Sequence, residues 1–271
     1  MDDNNDIRNF KILTIYSTAT YLISYVLVYL IFSSITILVA NIYHIETILY
    51  HDKLFFLTPD NSPLWDFDSA IYVFGAGTLF CVILMAALMI FFHKIREEKT
   101  FFKIFVFWFI LHLINRMIST FILGSLIDLY FSNVVFDWLY FDRWLDLVLA
   151  IFSLFLLITI GNFTTRSLLL ASRSFQLIKS NKRSHYVWYQ AITPWFISSV
   201  IIMVMHLPSF AYIENLLSGF MFIIVSSTYF NFRTIKMPSV ALKNDPPFPI
   251  PVKLIAFTVV FLISFRIIFQ R

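Results

Sequence analysis

Long runs of apolar residues dominate this sequence and limit what it can fold into. A helix needs about 20 predominantly apolar residues to cross a hydrocarbon layer of roughly 30 Å, whereas a strand needs only about ten. Such runs recur along the 271 residues, of which 59% are hydrophobic and only 13% charged. A helix also satisfies its own backbone hydrogen bonds in lipid. The sequence therefore predicts an all-α, polytopic transmembrane helix bundle.

We predict about seven spans within a single integral membrane domain that covers residues 1–271. The spans are 15–40, 70–92, 101–127, 146–163, 187–206, 210–230 and 252–269. The segment MPSVALKNDPPFPIP precedes the last span, and its five prolines prevent a helix there: Pro238, Pro246, Pro247, Pro249 and Pro251. We therefore expect a six-helix body with an appended C-terminal helix, and the sequence leaves open whether that helix crosses the membrane.

The distribution of basic residues predicts the orientation of the spans. With the N-terminus in the cytoplasm, 15 of the 20 lysines and arginines fall on the cytoplasmic side, as the positive-inside rule requires. They are Arg8, Lys11, Lys94, Arg96, Lys99, Lys103, Arg166, Arg173, Lys179, Lys182, Arg183, Arg233, Lys236, Lys243 and Lys253. The outer side then has Lys53 and Arg143, joined by Arg266 and Arg271 if the last span crosses.

The composition excludes several classes of function. The chain has 5 glycines and no phosphate-binding loop, and its one cysteine, Cys81, excludes an intramolecular disulfide and a multi-cysteine metal site. The net charge of +4 comes from loop lysines and arginines, so we interpret it as membrane topology and predict no nucleic-acid partner. No cofactor is predicted. The polar start MDDNNDIRNFK indicates an uncleaved signal anchor and no cleavable signal peptide.

The connections on the predicted outer side are acidic and aromatic. The first, HDKLFFLTPDNSPLWDFD, includes Asp52, Trp65 and Asp66, and the later SNVVFDWLYFDRWLD is similar. These residues predict an interfacial aromatic belt with solvated carboxylates or, alternatively, a vestibule that attracts cations. The preceding NIYHIETILYH favours an outward continuation of the first helix, with His44 and His51 two turns apart on one face. That spacing differs from HExxH, so we predict no metal site there.

Four polar residues interrupt the third apolar span at helical spacing. His112, Asn115, Arg116 and Ser119 stand at positions i, i+3, i+4 and i+7, so they share one face of the helix. An arginine exposed to lipid is costly. This face is therefore expected to point toward other helices or a wet cavity.

The sixth span provides a partner for this arginine. Glu214 and Ser218 are one turn apart there, and a rise of 1.5 Å per residue places both Glu214 and Arg116 roughly 22–24 Å from the inner boundary. We therefore expect a buried Arg116–Glu214 ion pair, with His206 from the end of the fifth span in the same network. The pair either joins helices or forms a polar site that passes a proton, binds an anion or admits a lipid headgroup. A zinc site at His112, His206 and Glu214 is a further alternative.

The run FFKIFVFWFILHLINRMISTFILGSLID, followed by an aromatic loop and by ITPW, resembles multi-pass membrane proteins of AT-rich bacteria. The resemblance covers about residues 94–196. It implies a bacterial inner-membrane protein, and that family has no known activity to transfer to this chain.

Three functions remain open from the sequence. The first is a structural or accessory subunit of a membrane complex, favoured by the small soluble loops. The second is a transporter or channel with a polar site at Arg116 and Glu214. The third is an intramembrane enzyme that uses His112, the least expected because no catalytic triad, HExxH motif or phosphate loop is present. The predicted partners are the lipid bilayer and, for the first function, other membrane protein subunits.

Overall fold

The computed structural model describes residues 3–95, 102–127, 131–172, 176–179, 182–208, 211–235 and 249–270, and it is a bundle of helices with one small hairpin. A 3-10 turn covers Gln176–Ile178, and a π-helical turn, Trp188–Ile192, joins α6 to α7. The predicted all-α bundle is confirmed. The helices are α1 (Asp3–Ile42), α2 (Phe67–Ile95), α3 (Phe102–Ile127), α4 (Phe131–Trp138), α5 (Arg143–Leu170), α6 (Arg183–Val187), α7 (Thr193–Met205), α8 (Tyr212–Asn231) and α9 (Val252–Ile268).

Six segments of the described chain are long and apolar enough to cross a membrane, as expected of an integral membrane protein. They correspond to the first six predicted spans. Helix α9 has 17 residues and a length of about 26 Å, slightly less than a hydrocarbon layer. Its crossing, the total of seven spans and the single domain stay predictions. The six segments are Ile7–Ile42, Phe67–Ile95, Phe102–Leu126, Arg143–Leu170, Arg183–Met205 and Ile213–Asn231.

Some sequence predictions fall outside the described residues. These are the positions 101 and 210 that begin two predicted spans, the prolines Pro238, Pro246 and Pro247, and the basic residues Arg96, Lys99, Arg173, Lys236, Lys243 and Arg271.

Successive long helices run antiparallel, so the bundle has two ends. At the end we call the base, the Lys103 ammonium near the start of α3 donates to the Leu170 carbonyl at the end of α5, 3.0 Å away. At the opposite end, which we call the hairpin end, the Arg266 guanidinium of α9 donates to the Met205 carbonyl at the end of α7. Each cation lies beside a helix C-terminus, where carbonyl groups have no partner within the helix.

Helix α3 is the centre of the bundle. It contacts α1, α2, α4, α5 and α8. Of the residues in an apolar 18-residue stretch of α3, 89% are buried, against 22% in the corresponding stretches of α2 and of α5. On α3, the fully buried Trp108 indole N–H donates to the Ser17 hydroxyl of α1 at 2.7 Å. Most polar side chains on α3 therefore face other helices and not lipid.

The backbones of α5 and α8 approach closely at Gly161. A Cβ atom on this residue would lie 2.5 Å from the Ile224 carbonyl oxygen and 2.6 Å from the Ser227 Cβ. The close approach brings the Thr228 hydroxyl within 2.9 Å of the Gly161 carbonyl, to which it donates. Small residues permit such packing between membrane helices, even though the chain has few glycines.

The π-helical turn between α6 and α7 precedes Pro194, as expected for a proline that cannot continue the hydrogen-bond ladder. Two backbone carbonyls of the turn accept hydrogen bonds from α1 hydroxyls. Thr14 donates to Tyr189 at 2.9 Å, and Ser17 donates to Gln190 at 2.7 Å. These hydroxyls satisfy carbonyls that would otherwise face an apolar environment.

The prediction that α1 continues outward through NIYHIETILYH was wrong. The helix ends at Ile42, His44 adopts a left-handed φ of 57°, and an antiparallel hairpin follows with strands β1 (Thr47–Leu49) and β2 (Leu54–Phe56). The His51 backbone N–H then donates to the Phe269 carbonyl at 2.8 Å, which places the hairpin over the end of α9. Consequently His44 and His51 do not share a helix face.

Candidate functional site: a buried ion pair beside a cavity

The pair expected from the sequence is present between α3 and α8. The Arg116 guanidinium donates to both carboxylate oxygens of Glu214, with Nη1–Oε2 at 3.1 Å and Nη2–Oε1 at 2.9 Å. The two side chains are only 7% and 3% exposed. This bidentate arrangement matches the planar guanidinium to the planar carboxylate.

Helix α1 contacts both charged groups through aromatic side chains. The guanidinium carbon of Arg116 lies 5.4 Å from the ring centre of Tyr29 and 4.6 Å from that of Phe32. The Tyr25 hydroxyl donates to Glu214 Oε2 at 3.1 Å. Aromatic faces attract a cation electrostatically, so α1 stabilises the arginine on one side while it supplies a third donor to the carboxylate.

His206 joins this network at its edge. It is fully buried as the C-cap of α7. Its Nε2 lies 3.5 Å from the Tyr25 hydroxyl and its Nδ1 lies 3.5 Å from Asn215 Oδ1, both at the outer limit of a hydrogen bond. A short series of polar groups thus extends from Glu214 through Tyr25 to His206.

Two of the other predicted polar residues, Asn115 and Ser218, connect helices to one another. Asn115 donates from Nδ2 to the Leu217 carbonyl at 2.6 Å and accepts a hydrogen bond from Ser119 at 3.0 Å. The Ser218 hydroxyl lies 2.8 Å from that of Ser199 on α7. Asn115 and Ser218 therefore join helices, whereas Ser119 holds the Asn115 side chain within α3.

His112 lies one helical turn from Arg116 and packs against aromatic side chains. Its ring packs edge-on against Tyr21, with centroids 4.3 Å apart and planes at 76°. A void of ≈ 10 Å³, about the space of one water molecule, touches both His112 and the ion pair. No group of three or more His, Cys, Asp or Glu side chains that could hold a metal occurs within the described ranges, which include His112, His206 and Glu214.

A cavity of ≈ 260 Å³ adjoins the ion pair at the hairpin end. The hairpin supplies Asp52 and Lys53 to its wall, and Asp52 is only 7% exposed. The expectation of a solvated carboxylate in the first outer loop was therefore wrong for this residue. The cavity is lined by Tyr29, Phe32, Ser33, Asp52, Lys53, Leu54, Phe56, Phe74, Arg116, Ile213 and Glu214.

Sequence reasoning missed Tyr25, Tyr29 and Asp52 as parts of this site. The two tyrosines, together with Tyr21, recur every four residues within an apolar span, and that periodicity indicates one helix face bearing three hydroxyls. The burial of Asp52 depends on how the hairpin folds back over the bundle, which local sequence does not specify.

Neither a protein-family model nor a curated protein nor a solved structure matches this chain. The resemblance to bacterial multi-pass membrane proteins therefore stays a prediction, and the site has to be interpreted from its own geometry.

Proposed function

We propose that this protein is a membrane transport protein that binds a small anion at Arg116 and couples that binding to a proton on Glu214. The supporting observation is that one cavity reaches both members of a buried ion pair. The pair alone would suit a purely structural contact between α3 and α8. The adjoining space gives a ligand access to it.

We propose that the bound anion replaces Glu214 as the partner of Arg116, and the charges of the two residues explain how. A guanidinium stays protonated in proteins, so Arg116 always requires an anion nearby. In this structure the Glu214 carboxylate is that anion. A proton on Glu214 would neutralise it, and a carboxylate or phosphate in the cavity would then accept the same bidentate hydrogen bonds. Glu214 is faced by Arg116 of α3, Tyr25 and Tyr29 of α1, His206 after α7, and Asp52 and Lys53 of the hairpin.

The size of the cavity limits the ligand. Pockets for drug-sized molecules typically measure about 300–1,000 Å³. A volume of ≈ 260 Å³ therefore suits a small organic acid or inorganic phosphate and is too small for a whole phospholipid.

We place the protein in the bacterial inner membrane, with seven crossings and a cytoplasmic N-terminus. The positive-inside distribution of basic residues supports this orientation. With this orientation, the cavity lies in the outer half of the bundle. A topology reporter fused after Arg271 tests the seventh crossing, because reporter activity in the cytoplasm would contradict it.

Uptake into proteoliposomes tests the proposed function. Radiolabelled succinate and inorganic phosphate are presented with and without a pH gradient, to wild type, Arg116→Met, Glu214→Gln and Arg143→Gln. We expect wild type to show uptake driven by the gradient and Arg116→Met to show none. Glu214→Gln should bind the anion but lose its response to the gradient. Arg143→Gln removes an exposed arginine and should behave as wild type.

The contradicting result is a folded wild-type protein that neither transports nor is thermally stabilised by carboxylates, phosphates or sulfonates at any pH. The pair would then be structural, and the accessory-subunit hypothesis would be preferred, with a co-purifying partner as its test. The enzyme hypothesis gains no support, since His112 packs among aromatic rings and does not line the cavity.

A further inference from the structure

A second and larger cavity lies at the base, far from the ion pair. It is a groove of ≈ 360 Å³ with walls from α2 and α5 and a floor from α3. Toward the hairpin end, α4 packs against α2 and α3. The groove is lined by Met89, Phe92, His93, Phe107, Ile110, Leu111, Phe163, Thr164, Arg166, Ser167 and Leu170.

The lining changes in polarity along the bundle axis. His93 lies in the last turn of α2, and Arg166 lies about one turn before the end of α5, so both are close to the base. Leu111, on α3, is eight residues beyond the basal Lys103, or about 12 Å deeper. The groove therefore has a polar mouth at the base and an apolar interior toward the middle of the bundle.

The charge at the mouth is positive. Arg166 and His93 are exposed there, and none of the residues that line the groove within the described chain is acidic. Lys103 is 3% exposed beneath the mouth, where it donates to the Leu170 carbonyl. An occupant that complements these groups needs an anionic head.

The walls open sideways toward lipid. Met89 on α2 is 46% exposed and Phe163 on α5 is 77% exposed, as expected for residues on the outer surface of a membrane bundle. An occupant can therefore enter from the bilayer without passing through the protein. This access, together with the apolar interior, distinguishes the groove from a site for a soluble anion.

We propose that the groove binds one phospholipid with an anionic headgroup, with the phosphate at Arg166 and His93 and an acyl chain against Phe107 and Leu111. At ≈ 360 Å³ the groove is too small to enclose a whole phospholipid, so it holds the phosphate and part of one acyl chain while the rest of the lipid stays in the adjoining bilayer. A basic pocket between helices at a membrane surface attracts anionic headgroups. The site is separate from the cavity at Arg116 and does not depend on the proposed transport function.

Lipid titration of the purified full chain in detergent tests this site. The apparent Kd is taken from the thermal midpoint as phosphatidylglycerol or phosphatidylcholine with identical chains is added. Removing a basic residue near a headgroup weakens binding about fivefold. We therefore expect at least that loss with phosphatidylglycerol for the double variant His93→Gln/Arg166→Gln, and a smaller loss with phosphatidylcholine, whose choline group balances the charge of its phosphate.

Two further variants test whether the acyl chain occupies the groove and whether a positive charge elsewhere on α5 contributes to binding. Ser167→Trp places a large side chain in the groove and should abolish stabilisation by both lipids. Arg143→Gln removes a charge of the same kind from the other end of the same helix, α5, and should bind like wild type.

Three results would overturn the assignment. One is equal affinity of the wild type for the two lipids. Another is unchanged phosphatidylglycerol affinity in the double variant. The third is protection by soluble glycerol 3-phosphate as strong as that by the lipid, which would identify a free-anion site.

Discussion

Removing either charge of the Arg116–Glu214 pair should lower the stability of the protein, but by unequal amounts. Glu214→Gln leaves a buried guanidinium that cannot lose its proton. Arg116→Met leaves a carboxyl group that can take up a proton and retain the Tyr25 hydroxyl as a hydrogen-bond partner. The first change therefore leaves a permanent uncompensated charge, whereas the second does not.

The magnitudes follow from this difference. Removing one partner of a buried ion pair typically costs about 3–5 kcal/mol. We expect Glu214→Gln near the upper end and Arg116→Met at or below the lower end. The double variant contains two neutral groups, so it should lie within about 1–2 kcal/mol of wild type. At roughly 2–4 °C per kcal/mol, Glu214→Gln alone should lower Tm by about 10 °C or more.

Thermal unfolding of the four proteins in one detergent, followed by tryptophan fluorescence, gives the comparison. The double-mutant cycle isolates the coupling between the two side chains from other losses. Adding phosphate to Glu214→Gln extends the test, because an anion in the cavity should restore part of its stability. The same anion should not stabilise the double variant, which lacks the guanidinium.

Additive losses would refute the reasoning, since a coupled pair requires the double variant to recover most of what the single variants lose. Losses below about 0.5 kcal/mol in both single variants would do the same. So would a Glu214→Gln protein more stable than Arg116→Met, because the asymmetry depends on the permanent charge of the guanidinium.

Two further predictions concern the fold. Gly161→Ala should lower the free energy of unfolding by about 1–3 kcal/mol, because its Cβ would lie 2.5 Å from the Ile224 carbonyl oxygen. The control Gly75→Ala, with nothing within 4 Å of its Cβ, should leave the stability unchanged or raise it. Equal Tm values for the two variants would contradict the close packing at Gly161. At the start of α2, the Ser69 backbone N–H holds the pKa of the Asp66 carboxyl below its usual value, so this cap stabilises the protein at neutral pH and its contribution is lost as pH falls through the lowered pKa. Asp66→Asn should therefore show a shallower fall of Tm than wild type between about pH 6 and pH 3, and parallel curves would exclude the cap as a source of that dependence.

The sequence predicted the helices because length and hydropathy are local properties. It also indicated the ion pair, because helical periodicity and antiparallel depth together place Arg116 level with Glu214. The predicted bounds were less accurate where polar residues continue a helix beyond the apolar run. Helix α1 begins at Asp3 and not near residue 15, since hydropathy marks the expected membrane portion and not the end of the hydrogen-bonded helix.

Two features at the hairpin end were missed for different reasons. The strands have only three residues each, too short for a period-two pattern to be distinguished from a helical one. Helix α4 lies in a segment assigned to an aromatic loop, although its apolar residues Phe131, Val134, Val135 and Trp138 stand at the helical positions i, i+3, i+4 and i+7 and could have predicted it. The hairpin also depends on a contact distant in sequence, from the His51 N–H to the Phe269 carbonyl, and it brings Asp52 beside the ion pair.

Stability alone is a weak reason for the chain to keep Arg116 and Glu214. A buried ion pair often contributes no more than apolar residues of similar volume, because desolvation of the charges offsets their attraction. Asn115, Ser119 and Ser218 already provide hydrogen bonds on these helices without any charge. The distinctive property of the pair is its contact with a cavity of ≈ 260 Å³ that also touches Asp52 and Lys53. The double variant Arg116→Met/Glu214→Gln therefore distinguishes a structural pair from an anion site. If it is stable but no longer transports, it has kept the fold and lost only the anion site.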